Sequence, residues 1–396
     1  MPTKQPPQGL TPTQASVPAI RSQSDSVGRR QLLSCATSGL GAVALADLWV
    51  RNAVSGAQPD SDQGGIPRPH FPSKAKRVIH VVACGGVSQV DTFDYKPDLE
   101  RLHGKSMAAD ERPDVFFGQV GLLRKNDWGF RQRGESGLWV SDLFPHLAEV
   151  IDELTVIRSM FAETSNHTPA TFQQNTGFRL NGFPTAGAWL SYGMGCETDD
   201  LPPYVVIPDP RGYPAGGSIN WTNGFLPAQH QGVTVKSSGT PIRNLFPEQA
   251  VSARTEVASR RLLAELNRQH LHNRGHSDVL QARIRSYQLS ERMQSVVPQI
   301  TALESETQAT QAMYGAGAEP TRDFGRSCLL ARRLLESGVR FVQLFSGGAF
   351  GQPRINWDGH EDMVQNHGRE AARIDQPLAG LLRDLRQRGL LDDTLV

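Results

Sequence analysis

The chain has 396 residues, with 41 Lys+Arg against 40 Asp+Glu and a net charge of +1. That length allows a sizeable core in one or two domains, and the charge balance excludes a dedicated nucleic-acid binder, which carries a basic excess. The four cysteines, Cys35, Cys84, Cys196 and Cys328, are scattered with no CxxC pair, which excludes a disulfide framework or a zinc ribbon.

Residues 1–27 are rich in Pro, Gln, Ser and Thr and have almost no large apolar side chains, so disorder is expected there. Gly28-Arg29-Arg30-Gln31-Leu32-Leu33 then precedes a mildly apolar Gly/Ala-rich run. Adjacent arginines ahead of such a run resemble a twin-arginine export signal, and Ser55-Gly56-Ala57 supplies a small-residue cleavage site. A membrane anchor is the alternative, but the run is Gly-rich and broken by Asp47, so it spans poorly. Residues 1–57 are read as leader and 58–73 as a Pro/Gly/Asp/Ser linker. The expectation is an exported protein, periplasmic or at the cell surface, that uses the twin-arginine machinery and keeps no stable membrane span after processing.

The folded part is expected over 74–396. Val78–Cys84 is an apolar, β-branched run interrupted only by His80, the pattern of a strand buried on both faces of a parallel sheet. It ends at Gly85-Gly86, followed by Ser88, Gln89, Asp91 and Asp94. Ligands of open α/β sheets bind outside the carboxyl ends of the strands, which places Asp91 and Asp94 on a functional rim. Residues 98–140 read as loop with short helices, Ser141–Asp152 as helical, and Leu154–Arg158 as a short strand. Pro169 in a first helical turn, with Thr168 as N-cap, predicts a helix ending at Thr176-Gly177. Exposed amides at such an N-terminus favour anions, but plain capping and turn chemistry is the preferred reading of Asn166, His167 and Thr168 from the residues alone.

Pro184–Gly195 reads as a helix and Tyr204–Ile207 as a strand, followed by a Gly/Pro-rich loop to about Thr240. Residues 247–313 read as a charged, helical surface insertion. Phe324–Ser337 is an amphipathic helix closed by Gly338, Val339–Phe345 a further strand, and Asn356-Trp357-Asp358-Gly359-His360 the loop after it. The helix–Gly–strand–GlyGly rhythm is that of a parallel, βα-built sheet. A last helix is expected from Gly368, with a kink or restart at Pro377. Asp393–Val396 begins another strand, so the chain reads as continuing beyond Val396.

Six ordered motifs carry a family likeness: GGVSQVDTFDYKP, NHTPATFQQNTG, RSYQLSERMQ, LLARRLLESGVRFVQLF, NWDGHEDM and LAGLLRDLRQRGLLDDTLV. Together they resemble the DUF1501 family of exported bacterial proteins over residues 74–396. That family is similar in fold to the alkaline phosphatase and sulfatase superfamily. The resemblance implies an α/β sandwich with a central, mostly parallel sheet and metals at the strand ends. It also implies a late Glu-Phe-Gly-Arg stretch and an Asp-His pair, which would follow Val396.

Under this resemblance, Asp358 and His360 of the WD-x-H motif are metal ligands and Asp91 is their partner from another loop. An imidazole–carboxylate set suits Zn, Mn or Fe, with two ions in the full-length protein. The alternative is that Asp358 caps its loop and His360 is an ordinary surface residue; Asp94 can simply pair with Lys96. His167-Thr168-Pro169-Ala170 resembles the sulfatase nucleophile segment, but His167 stands at the nucleophile position and Thr171 replaces the Arg. Formylglycine cannot be made from His, so the expected roles are His167 as a metal ligand or catalytic side chain and Thr168 as a metal-activated hydroxyl.

Two functions follow: a metal-dependent hydrolase of phosphate or sulfate esters, on a small-molecule or glycan substrate, or a catalytically degenerate member that binds an anionic glycan or surface partner. The leader generates its own test. Lysine at both Arg29 and Arg30 is expected to hold the precursor in the cytoplasm on cell fractionation; normal export of that variant refutes the twin-arginine reading.

Overall fold

The computed structural model describes residues 72–108, 120–246, 251–275, 277–349, 351 and 353–396. The expected leader with its cleavage site, and residues 58–71 of the expected linker, lie outside the described residues. Five strands form one all-parallel sheet: β1 (Arg77–Ala83), β4 (Tyr204–Ile207), β5 (Val233–Thr234), β6 (Phe341–Ser346) and β7 (Thr394–Leu395). Their order is β5-β4-β6-β1-β7. β1 lies inside the sheet, in register with β6 from Val78–Phe341 to Ala83–Ser346, and is flanked on its other side by β7. A separate antiparallel hairpin pairs β2 (Phe130–Arg133) with β3 (Leu138–Ser141). It falls inside the 98–140 stretch expected to be loop with short helices.

Alternation along the strands divides the core into two layers. Val205, Ile207, Val342 and Leu344 face one layer. There they meet α7 (Arg322–Glu336) and α8 (Met363–Gln387). Tyr204, Val206, Phe341 and Phe345 face the other, with Trp221 and Leu190; Leu190 belongs to α3 (Ala186–Met194). Helices α4 (Ala253–Arg274), α5 (Asp278–Thr301) and α6 (Gln308–Met313) occupy the charged segment. The carboxyl half of α5 is not a free arm, because Met293, Val297 and Ile300 are buried in the main core. Among the described residues no helix is long and apolar enough to cross a membrane.

Several local expectations are corrected. Leu154–Arg158 is not a strand. A 3-10 helix, Leu147–Glu153, precedes it, Leu154 is extended, and Ile157 points to solvent. The segment packs one side inward without acquiring a ladder partner. Ser141–Asp152 is correspondingly the end of β3 plus that 3-10 helix. The helix carrying His167 is α2 (His167–Thr176); its N-cap is Asn166, whose side chain accepts from Thr168 N, so Thr168 lies within the helix.

α8 starts at Met363, where Asp362 caps it, and runs through Pro377 without interruption. Burial along its length and the 2.8 Å bonds that Asp375 accepts from His146 N and Leu147 N hold it across the missing proline N–H.

The strand-end turn at Gly85 closes directly onto the backbone of the loop after β6. Its φ is +102°, and a Cβ there would lie 2.6 Å from Asp358 N; Gly86 (φ +91°) has nothing within 4 Å. Both glycines save roughly 1–2 kcal/mol of left-handed strain, but Gly85→Ala also drives a methyl group into backbone. Gly85→Ala is expected to lower stability by at least about 3 kcal/mol and Gly86→Ala by about 1–2 kcal/mol. Urea midpoints check the order; equal effects would show that the close approach carries no weight.

Candidate active cleft at the carboxyl edge of the sheet

Because the sheet is parallel, the loops after β1, β4 and β6 open on one rim. The loop after β6 is locked onto the end of β1. Trp357 N donates to Cys84 O at 2.7 Å, and the fully buried Trp357 ring bonds Ser346 Oγ through Nε1 at 3.3 Å. Asn356 orders the turn itself. Its Oδ1 accepts from Asp358 N at 3.1 Å, and its Nδ2 donates to Gly348 O at 2.8 Å.

α2 is fixed over the same rim by a buried amide network. Gln343, in the middle of β6, donates to Asn175 Oδ1 at 2.8 Å and accepts from Tyr204 OH. Asn175 donates to Asn220 Oδ1 at 3.1 Å. The network holds the carboxyl end of α2 and so sets where its first residue, His167, emerges.

These two anchors bring three of the sequence-identified residues into contact. His167 Nε2 lies 3.1 Å from Asp358 Oδ2, and His360 Nε2 lies 3.1 Å from Asp358 Oδ1. Asp358 is nearly buried, while both imidazoles are substantially exposed. Arg354 also engages Asp358 Oδ2 and spans to Glu361 at 2.9 Å.

Asp91 makes different contacts. It accepts from Ser88 Oγ at 2.6 Å and from Asp127 N at 3.4 Å. Asp94 pairs with Lys96 at 3.0 Å. A cleft of about 450 Å³ beside this group is lined by Cys84, Gly85, His167, Thr168, Tyr213 and Arg354, among others. Asp358 itself borders a smaller depression of about 90 Å³, across Arg354.

The amino terminus of α2 offers few amides to an anion. Thr168 N is taken by Asn166 Oδ1, Pro169 has no N–H, and Ala170 N donates to Asn166 O. His167 N remains, so an anion in the cleft depends on side chains such as Arg354 more than on helix amides. Among the described residues no group of three or more His, Cys, Asp or Glu side chains is arranged to hold a metal ion. The contacts are pairwise, with Asp358 in the middle.

Sequence reasoning missed a buried ionic group beside the cleft. Arg211 forks onto Glu370 at 2.8 and 2.7 Å and onto Asp209 at 3.0 and 2.8 Å; Asp209 also accepts from Gly347 N at 2.7 Å. Burial opposes the guanidinium charge, but Glu370 and Asp209 outweigh it and raise the Arg211 pKa. Asp209 follows β4 in Pro-Asp-Pro, so the strand-end rule applied to Asp91 would have found it. Glu370, in mid-helix between Arg369 and Ala371, carries no sequence signal.

The family model described as "Protein of unknown function (DUF1501)" matches residues 75–396. No curated protein and no solved structure matches the chain.

His367 gives a pH test of this rim. It is fully buried against Trp357, with Nε2 accepting from Ser88 N at 3.0 Å, so its proton sits on Nδ1, 3.1 Å from Asn366 Oδ1. Burial lowers its pKa, while Asp91 and Glu370 oppose the shift. The unfolded chain therefore binds more protons here below about pH 6.5, and stability falls as pH drops through that value toward the lower folded pKa. The wild type is expected to lose up to about 1.4 kcal/mol per pH unit more than His367→Gln over that window. Parallel pH–stability curves for the two proteins would refute it.

Proposed function

The chain belongs to the DUF1501 family, and from that premise we propose that it is an exported, metal-dependent hydrolase of phosphate or sulfate esters, built on an alkaline phosphatase-like sandwich. The observation that carries this reading is that His167 of α2 and His360 of Asp358's own loop meet the two oxygens of Asp358 beside an open cleft.

The donor types suit a small divalent ion, although among the described residues no group of three is arranged to hold one. Two imidazole nitrogens and one carboxylate are a usual set for Zn, Mn or Fe. As they stand, the two 3.1 Å contacts are separate pairs, one imidazole to each oxygen of Asp358. Asp358 and His360 would hold the ion, with Asp91 as their partner from another loop and His167 bordering the same site. When bound, the metal supplies Lewis acidity and lowers the pKa of an attacking hydroxyl or water.

The chain's own residues do the rest. Thr168 lines the cleft and presents a hydroxyl nucleophile. Arg354 lines it too and offers a guanidinium to the anionic ester. The buried Arg211 group stiffens the loop after β4 that forms another wall. A small-molecule or glycan ester fits the open, solvent-facing cleft.

One observation favours a second reading, a non-catalytic binder of an anionic glycan or surface partner. Arg354 already neutralises Asp358, as a retired metal site would require. Metal content separates the two. The processed full-length protein is expected to carry a stoichiometric transition metal by mass spectrometry and to cleave an aryl phosphate or aryl sulfate. Asp358→Ala and His360→Ala are each expected to lose most of the metal and at least about 100-fold in rate. Unchanged metal content and activity in both variants would make the site assignment wrong, and a metal-free, inactive wild type would favour the binder.

A further inference from the structure

Away from the cleft, α3 exposes Trp189 and Tyr192 on one helical face, and Phe225 reaches them from the next loop. Their exposures, 46%, 56% and 66%, are high for such large rings. The rings are nevertheless fixed. Phe225 and Tyr192 stand edge-on to Trp189, with centroids at 5.7 and 6.3 Å, and Tyr192 meets His230 at 5.4 Å.

A polar relay runs along one side of this shelf. Ser191 Oγ lies 2.9 Å from His230 Nδ1, Gln229 Nε2 lies 3.1 Å from His230 Nε2, and Arg285 Nε donates to Gln229 Oε1 at 2.7 Å. Arg285 is thereby oriented, yet its Nη1 and Nη2 make no hydrogen bond or ion pair among the described residues. An oriented guanidinium with two parallel N–H groups free matches a planar carboxylate. Exposed aromatic rings offer flat, electron-rich faces to apolar C–H surfaces. A uronic acid meets both requirements, stacking a C–H face on a ring and carrying a carboxylate at its edge.

We propose that Trp189, Tyr192 and Phe225, with Arg285 at the rim, form a binding shelf for polyuronate chains. A soluble monomer seldom leaves such a patch exposed without a partner. A helix-packing partner would instead leave the Arg285 fork buried and unpaired, which is costly. The inference does not rest on the hydrolase reading, because none of these residues lines the cleft.

The test is affinity electrophoresis of the full chain in gels containing polygalacturonate, a neutral glucan or a sulfated galactan. Polygalacturonate is expected to retard the wild type most. Trp189→Ala is expected to weaken that retardation at least tenfold, and Arg285→Gln to remove the preference for polygalacturonate over the neutral glucan. Arg285 is exposed, so an unchanged melting temperature is expected for Arg285→Gln, which separates lost binding from lost folding. Equal or stronger retardation by the neutral or sulfated polymer, or wild-type retardation in either variant, would overturn the proposal, as would no retardation by any polymer. Loss of metal or activity at Asp358 leaves these outcomes unaffected, so the two readings fail separately.

Discussion

The arrangement of the rim depends on how closely two stretches of backbone approach. The Asn356–Asp358 segment is wedged between the end of β1 and the end of β6, with Gly85 against one side and Gly347 against the other. Both glycines have positive φ, and neither site has room for a Cβ. The contact is closed by the Trp357–Cys84 backbone bond and filled by a fully buried indole. Asp358 emerges from this wedge with its backbone fixed, so His167 at the start of α2 can meet it on one oxygen while His360 of its own loop meets the other. A loop one methylene looser would leave the same residues present but unable to meet.

The electrostatics follow from that geometry. Asp209, Glu370 and Asp358 are all withdrawn from solvent, and each is met by a guanidinium: Arg211 for the first two, Arg354 for the third. A buried carboxylate without such a partner costs several kcal/mol, so these pairs are conditions for the loops to exist more than sources of net stability. The two arginines differ in one respect. Arg211 is locked by bonds to both of its carboxylates and to its own turn. Arg354 sits at the open surface between two hollows, where exchange of partner is easiest.

β1, β4 and β6 were legible because they are short apolar runs followed closely by Gly or Pro, whereas β5 lies in the stretch read as a Gly/Pro-rich loop. Tyr204–Ile207 was read to the residue, and Val78–Cys84 and Val339–Phe345 were displaced by only one or two positions. The parallel arrangement followed from helices placed between strands. Leu154–Arg158 misled because strand and merely extended backbone share one apolar alternation, and the ladder partner that distinguishes them is a tertiary fact. Pro377 misled for a similar reason: packing on both sides of α8 outweighs one missing hydrogen bond. Among the site residues, His167, Asp358 and His360 were recoverable from motif order and strand-end logic. Arg354 and Glu370 were not, because a charged residue in a loop or mid-helix looks the same whether it is solvated or spans two elements.

The register of β1 has a consequence for biosynthesis. Its two ladder partners begin at Phe341 and Thr394, so this apolar strand near the start of the folded part has neither neighbour until Phe341 and then Thr394 have left the ribosome. Through that interval it presents two unpaired edges of β-branched backbone, the kind of surface that recruits other chains. Loops this long also close slowly, since non-local pairing meets its entropic cost before any contact is gained. Fragments ending before Phe341 should therefore collect in inclusion bodies, while chaperone occupancy during translation should centre on Arg77–Ala83. In a crowded cell, yield would be governed by how long that strand waits rather than by how stable the finished fold is.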